Sequence, residues 1–356
     1  MDQRTLRQAL LNPAIYPERP KAVEFSETHI SLLFFTENHV YKVKKPVDFG
    51  FLDFTDLEKR KFYCHQEVEL NRRLSSDVYR GVVEISEDNG TISLGGRGEV
   101  IEYAVMMRRL SDDLVMSRLL DENKVTDRMI ARVAEKLADF YLAAETNEEI
   151  NAYAKPERIR QDTDENFQQT RTYIGITISP EAFDTIQGAT NTFLREKRAS
   201  FQRRIAEGKI RDCHGDLRSE HIYLGDQILI IDCIEFNERF RYTDVAADIG
   251  FLAMDLDYQE RSDFSRHLID SYIRSSGDRD ILEVLDFYKC YRAYVRGKVE
   301  SFRLDDPNIP PGEKEGAMRR ARRFFHLSNG YARALRDKET GGDKETGGDV
   351  VKLLSY

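Results

Sequence analysis

Two short runs of this chain hold residues whose types and spacing suit chemistry. One is Cys213-His214-Gly215-Asp216-Leu217-Arg218-Ser219-Glu220-His221, and the other is Ile230-Ile231-Asp232. Between them lie Ile222-Tyr223-Leu224, the turn-forming pair Gly225-Asp226, and Gln227-Ile228-Leu229. Gly-Asp between two apolar runs predicts a two-residue hairpin turn. With Leu224 and Gln227 flanking that turn, His221 stands opposite Ile230, and Ser219 opposite Asp232. Strand side chains alternate faces, so His221 and Asp232 share a face as diagonal neighbours, roughly 5.5–8 Å apart. The hairpin thus gathers the Asp216 loop, His221 and Asp232. Phosphoryl transfer needs such a set: a carboxylate beside the attacking hydroxyl, and separate ligands for the Mg²⁺ that bridges the nucleotide phosphates. The bland alternative makes Asp216 and Asp232 ordinary turn and strand-end acids. It suits either residue alone better than it suits the pair at this spacing.

The elements that must position these residues fall into two textures. Residues 29–36 and 39–46 are β-like runs split by Glu37-Asn38. Thr55-Asp56-Leu57-Glu58 fits a capping box with Thr55 as N-cap, opening a helical pattern that runs to about Leu74. Residues 81–86, 91–94 and 99–107 are three more strand-like runs. After Met107 helical patterns take over, at 125–145, 160–173, 181–207, 246–257, 262–275, 279–303 and 314–335. The stretch 211–236 is the β-like exception. The expected fold class is α+β, with a small β-rich lobe over 1–110 and a larger helical lobe over 111–336. A tail over 337–356 carries KETGGD twice, at 338–343 and 344–349, a polar Gly-rich unit that cannot bury a core.

Composition narrows the function classes. The 356 residues carry a net charge of −9, which disfavours broad nucleic-acid binding. No apolar run approaches the ~18 residues of a membrane span, and the start lacks the basic-then-apolar pattern of a secretory signal. The four cysteines, Cys64, Cys213, Cys233 and Cys290, are scattered without CxxC pairing, so reduced thiols and a cytoplasmic location are expected. A zinc site from Cys213, His214, His221 and Cys233 fits no standard ligand spacing.

His214-Gly215-Asp216-Leu217, the hairpin and Ile231-Asp232 together resemble the catalytic core of the aminoglycoside phosphotransferase family, which has a protein-kinase-like fold. Val40-Tyr41-Lys42-Val43-Lys44-Lys45-Pro46-Val47 and Ile231-Asp232-Cys233-Ile234-Glu235-Phe236-Asn237 resemble an uncharacterised bacterial branch of that family. Some members of this branch are fused to a P-loop ATPase domain; no P-loop motif occurs here. The resemblance implies a two-lobed phosphotransferase using ATP with Mg²⁺ or Mn²⁺, and a small-molecule hydroxyl as acceptor: a sugar, an amino-sugar or an aminoglycoside-like alcohol. Asp216 would be the catalytic base, Asp232 a metal ligand, and His214 a structural residue of the loop. Arg218 would touch the γ-phosphate, and Asp248 would brace the catalytic loop. The backbone near Met107 and Arg108 would hold adenine at the hinge. His221 departs from the pattern, since kinases place a metal-binding Asn there. Imidazole is a poor ligand for Mg²⁺, so the site would run on one Mg²⁺, or prefer Mn²⁺, or use His221 to bond a phosphate or water. A stress-response Ser/Thr protein kinase and a non-catalytic nucleotide sensor remain as alternatives.

The resemblance also requires a strand lysine paired with a helix glutamate. Lys42 is the expected lysine, with Lys44 on the same strand face as runner-up. At about 100° per residue, Glu67 falls within the apolar arc of the 56–74 helix, while Glu69 points away. A carboxylate on a buried stripe needs a partner, so Glu67 is expected to meet Lys42, which would orient the α- and β-phosphates. Gly95-Gly96-x-Gly98 reads as a hairpin turn, and the phosphate-loop position at 36–39 holds no glycine. Region 242–286 has 11 acidic and 4 basic residues, suiting a cationic acceptor or simply a solvated surface. Phe324, Phe325 and Tyr331 read as core.

Overall fold

The computed structural model describes residues 3–340, with side chains to Asp337. The chain divides into two compact units. Among the described residues, one comprises those up to Glu122 with Glu220–Glu238, and the other Asn123–Ser219 with those that follow Glu238. His221 and Asp232 therefore belong to the first unit, and Asp216 and Arg218 to the second. The fold is α+β.

The first unit is built on a six-stranded antiparallel sheet. Its strands are β1 (Glu24–Glu27), β2 (Ser31–Phe35), β3 (His39–Lys44), β4 (Tyr79–Asp88), β5 (Thr91–Leu94) and β6 (Glu99–Arg108), in the order β1-β2-β3-β6-β4-β5. Both faces are covered. On one, helix α1 (Gln3–Leu10) and the turn after it place Leu6, Leu10 and Tyr16 against Phe34, Tyr41, Val43 and Ile85. On the other, helix α2 (Leu57–Ser75) packs Cys64 and Val68 against Val40, Tyr79, Val105 and Met107. Alternation along β3 then follows: Tyr41 and Val43 face α1, while Val40, Lys42 and Lys44 face α2.

Three local expectations change. The N-cap of α2 is Asp56, whose carboxylate accepts from the Lys59 amide at 2.8 Å, and not Thr55. Thr55 instead gives its hydroxyl to Asp53 at 2.6 Å. Both are good capping types, and the neighbouring Asp53 decides between them.

Second, Gly95-Gly96-x-Gly98 is not a hairpin turn. β5 pairs only with β4, and β6 lies on the other side of β4, so the segment must cross over that strand. A Cβ at Gly98, whose φ is +121°, would lie 2.3 Å from the Glu87 carbonyl oxygen. The crossing is closed to any larger residue.

Third, the hairpin register is one residue off. Ile222 pairs with Ile230, Tyr223 with Leu229 and Leu224 with Ile228, leaving a three-residue connection, Gly225-Asp226-Gln227. A one-residue slip moves side chains to the opposite face. Asp232 escapes that consequence because it has left the ladder and adopts φ +63°.

The second unit is mainly helical. Helices Pro156–Thr170, Pro180–Glu196, Val245–Tyr258, Leu285–Phe302 and Pro311–Thr340 share a core that includes Phe167, Phe183, Phe251, Met254, Tyr294, Phe324, Phe325 and Tyr331. The expected helix 181–207 is two helices meeting at Lys197, and 279–303 is a short 3₁₀ segment followed by Leu285–Phe302. Ile210–Asp212 pairs antiparallel with Tyr242–Asp244, so strand structure extends past 236. Both KETGGD copies lie outside the residues whose side chains are described; helix Pro311–Thr340 runs into the first of them.

Candidate active site

The first unit buries a cluster of opposite charges against α2. Lys42 Nζ lies 2.8 Å from Glu67 Oε1 and 2.8 Å from Asp232 Oδ1. Lys44 Nζ lies 2.7 Å from Glu67 Oε2 and also bonds Glu235. Glu67 is fully buried and Glu69 is exposed, as the helical period requires. The sequence reading placed Lys44 only as a substitute for Lys42; in the fold both lysines bond the same carboxylate. Glu235 was missed. Its signal was an acid in the apolar run Cys233-Ile234-Glu235-Phe236, where an unpartnered carboxylate would be costly.

Burial disfavours the Lys42 ammonium, but Asp232, Glu67 and Glu235 outweigh it and hold its pKa well above the ordinary lysine value. Burial likewise opposes the charge of Glu67; Lys42 and Lys44 overcome this and keep its pKa low. Glu235 is pushed up by burial, which Lys44 only partly offsets. Breaking such a cluster by removing one partner costs about 3–5 kcal/mol, because the remaining charge stays buried.

Asp232 is the accessible member, its side chain 47% exposed. Its amide donates to the Tyr79 hydroxyl at 3.1 Å. Its left-handed φ is uncommon for a residue other than glycine, and such conformations gather at functional sites. His221 Nε2 lies 3.7 Å from Asp232 Oδ2, so the expected closeness of these two side chains is present even though the register that predicted it is not.

The donor chemistry suits a divalent cation that brings further ligands of its own. Among the described residues no group of three or more His, Cys, Asp or Glu side chains is arranged to hold a metal ion by itself. Mg²⁺ characteristically takes one or two carboxylates, with phosphates and water completing its shell. Asp232 offers a hard carboxylate oxygen, and His221 a nitrogen that suits Mn²⁺.

Met107 and Arg108 lie inside β6, not beyond its end. The Arg108 amide donates to Val78 O at 2.8 Å and the Arg109 amide to Asn38 O at 2.8 Å, so neither amide is open to a base. The Arg108 side chain pairs with Asp77 at 2.7 Å.

In the second unit, Arg218 makes a two-pronged pair with Asp216, Nε to Oδ1 at 3.0 Å and an amino nitrogen to Oδ2 at 2.8 Å. The Asp216 amide donates to His214 Nδ1 at 3.2 Å. Asp248, wholly buried near the start of helix Val245–Tyr258, accepts from the amides of His214 at 2.7 Å and Gly215 at 3.0 Å. Tyr141 gives its hydroxyl to the same carboxylate at 3.3 Å. Asp248 thus clamps the backbone leading to Asp216. Asp244 caps that helix through the Ala246 amide at 2.8 Å and forms a buried two-pronged pair with Arg204.

The acids of 242–286 do not form a single acidic surface. Asp244, Asp248, Asp255, Asp257 and Asp278 are buried and bonded inside the unit. The four cysteines are buried. No helix among the described residues is long and apolar enough to cross a membrane.

The fold is of the aminoglycoside-phosphotransferase-like, protein-kinase-like class. A crystal structure of a candidate aminoglycoside phosphotransferase from Ralstonia eutropha superposes with a TM-score of 0.54 at 14% identity, covering 94% of this chain and 98% of that one. A choline/ethanolamine kinase family protein from Mesorhizobium loti gives 0.49 at 13% identity, covering 93% and 99%. By sequence, the chain is similar to an uncharacterized protein of Mycobacterium tuberculosis strain H37Rv, 32% identical over 283 residues. That match takes in 79% of this chain and 55% of the relative, so the chain spans about half the length of the curated relative. No family model matches.

Proposed function

We propose that this chain is an ATP-dependent phosphotransferase that moves the γ-phosphate to a hydroxyl of a small molecule, of the sugar, amino-sugar or aminoglycoside-like kind. The observation that carries this reading is Lys42, held buried and charged between Glu67 and the accessible carboxylate of Asp232. A lysine so held is poised to exchange a protein carboxylate for nucleotide phosphate oxygens, with Glu67 setting its direction. Asp232 would hold the divalent ion, which when bound neutralises charge on the phosphates, and His221 Nε2 lies near enough to join it. Asp216 would position and deprotonate the acceptor hydroxyl. Arg218, which pairs with the Asp216 carboxylate, would turn to the transferred phosphoryl group. The adenine edge would be read beyond Arg109, where the chain leaves the sheet.

The test has two stages. Calorimetry with ADP and Mg²⁺ or Mn²⁺ should show binding by the wild-type protein and its loss in Lys42→Met. Turnover of γ-labelled ATP should then be screened with sugars, amino-sugars and a protein mixture. Label in a small molecule, abolished by Asp216→Asn, supports the proposal. Label in protein would replace it with a protein kinase. Binding without turnover in every arm would leave a nucleotide sensor.

A further inference from the structure

Glu67 is gripped from both sides. One oxygen faces Lys42, and the other faces Lys44, which is itself bonded to Glu235. A lysine–glutamate pair for phosphate binding does not need a second such pair behind it. Nor is the second pair explained by stability, since buried ion pairs gain little over apolar residues of similar volume.

Its placement offers another explanation. The chain that carries Asp232 is stitched to α2 and β4 by a row of bonds. Ser75 Oγ accepts from the Ile230 amide at 2.9 Å and donates to the Ile230 carbonyl at 2.8 Å. Asn71 Oδ1 accepts from the Cys233 amide at 2.8 Å, while its amino group donates to Glu67 O at 2.9 Å. Tyr79 accepts from the Asp232 amide. Glu235 ends this row by reaching Lys44 on β3. The Asp232 segment, α2 and β3 are thereby one bonded block. If Lys42 leaves Glu67 for a phosphate, Lys44 still holds the other oxygen of that carboxylate.

We infer that Lys44 and Glu235 are positioning residues that keep Lys42, Glu67 and Asp232 assembled whether or not nucleotide is bound, so that α2 does not swing between engaged and disengaged states. This rests on the phosphotransferase reading above.

The test compares wild type, Glu235→Gln and the apolar double variant Lys44→Met/Glu235→Leu, all as the full chain. The readouts are ADP·Mg²⁺ affinity by calorimetry, KM for ATP and kcat, and hydrogen exchange across residues 60–75. In the wild type, exchange in α2 should be the same with and without nucleotide. The double variant keeps the cluster's net charge but leaves Glu67 Oε2 without Lys44, so it should fold with a lower Tm. Its affinity should weaken about tenfold, the usual scale for loss of a supporting contact. KM for ATP should rise in step, and α2 should become protected only when nucleotide is added. Glu235→Gln should shift affinity in the same direction by a smaller factor, and it decides the matter if the double variant does not fold. Wild-type affinity in the variants, or nucleotide-dependent exchange in wild-type α2, overturns the inference while leaving the phosphotransferase reading intact. A wild-type protein that binds no nucleotide overturns both.

Discussion

Asp248→Asn is the sharpest perturbation of the loop that presents Asp216. The native carboxylate accepts two backbone amides, from His214 at 2.7 Å and Gly215 at 3.0 Å, as well as the Tyr141 hydroxyl. An asparagine keeps one acceptor oxygen and turns the other into a donor facing a donor. One charge-assisted bond is lost, worth about 1.5–3 kcal/mol at a charged group. At 1.4 kcal/mol per decade, the local opening of residues 213–216 should become roughly ten- to a hundredfold more frequent. Global stability should fall by no more than the same amount. Hydrogen exchange of the His214 and Gly215 amides, followed by NMR or by mass spectrometry of a peptide spanning them, reads this directly. If the proposed role of Asp216 is right, kcat/KM should fall while ADP affinity, set by the Lys42 cluster, stays near wild type. Unchanged protection at His214 and Gly215 would refute the reasoning, because the clamp would then hold nothing.

Two further outcomes are expected. Gly98→Ala forces a Cβ to within 2.3 Å of Glu87 O at a φ of +121°, and should lower stability by about 1–3 kcal/mol in a urea titration. Gly95→Ala, whose added Cβ meets nothing within 4 Å, should cost less. Lys298 donates to Asn166 Oδ1 at 2.6 Å and Gln169 Oε1 at 2.7 Å, and burial pulls its pKa down to about 8. Between that value and the ordinary 10.5 the unfolded chain binds the extra proton, so this group makes stability rise with pH across the window. Lys298→Met should remove that rise, seen as a urea midpoint at pH 10 that lies lower relative to the pH 7.5 midpoint than it does in the wild type; the same signed change in both proteins would refute the assignment.

The elements around the site were legible to different degrees, for physical reasons. Helical periodicity separated Glu67 from Glu69 because a helix turns by a constant angle, and one buried stripe sorts every residue on it. Strand alternation put Lys42 and Lys44 on one face for the same reason. The hairpin register failed because Gly225-Asp226 suits a two-residue or a three-residue connection, and the pairing of Ile222 with Ile230 settled it. The glycines at 95–98 were misread because a turn and a crossover use the same residue type; only the strand order tells them apart. Glu235 was hidden because an acid in an apolar run looks the same whether or not a lysine awaits it.

Residue types and their local periods determined which side chains are available and which way each must face within its own helix or strand, because both are properties of a few consecutive residues. Only the tertiary structure decided which of them meet. Lys42 reaches Asp232 across 190 positions of chain and Lys44 reaches Glu235 across 191, and no local pattern records such a closure. Those contacts depend on the order of strands in the sheet and on the return of the 220–238 segment to α2. Both are set by the packing of the whole unit, in which four charged groups are buried together because each has an opposite charge within reach.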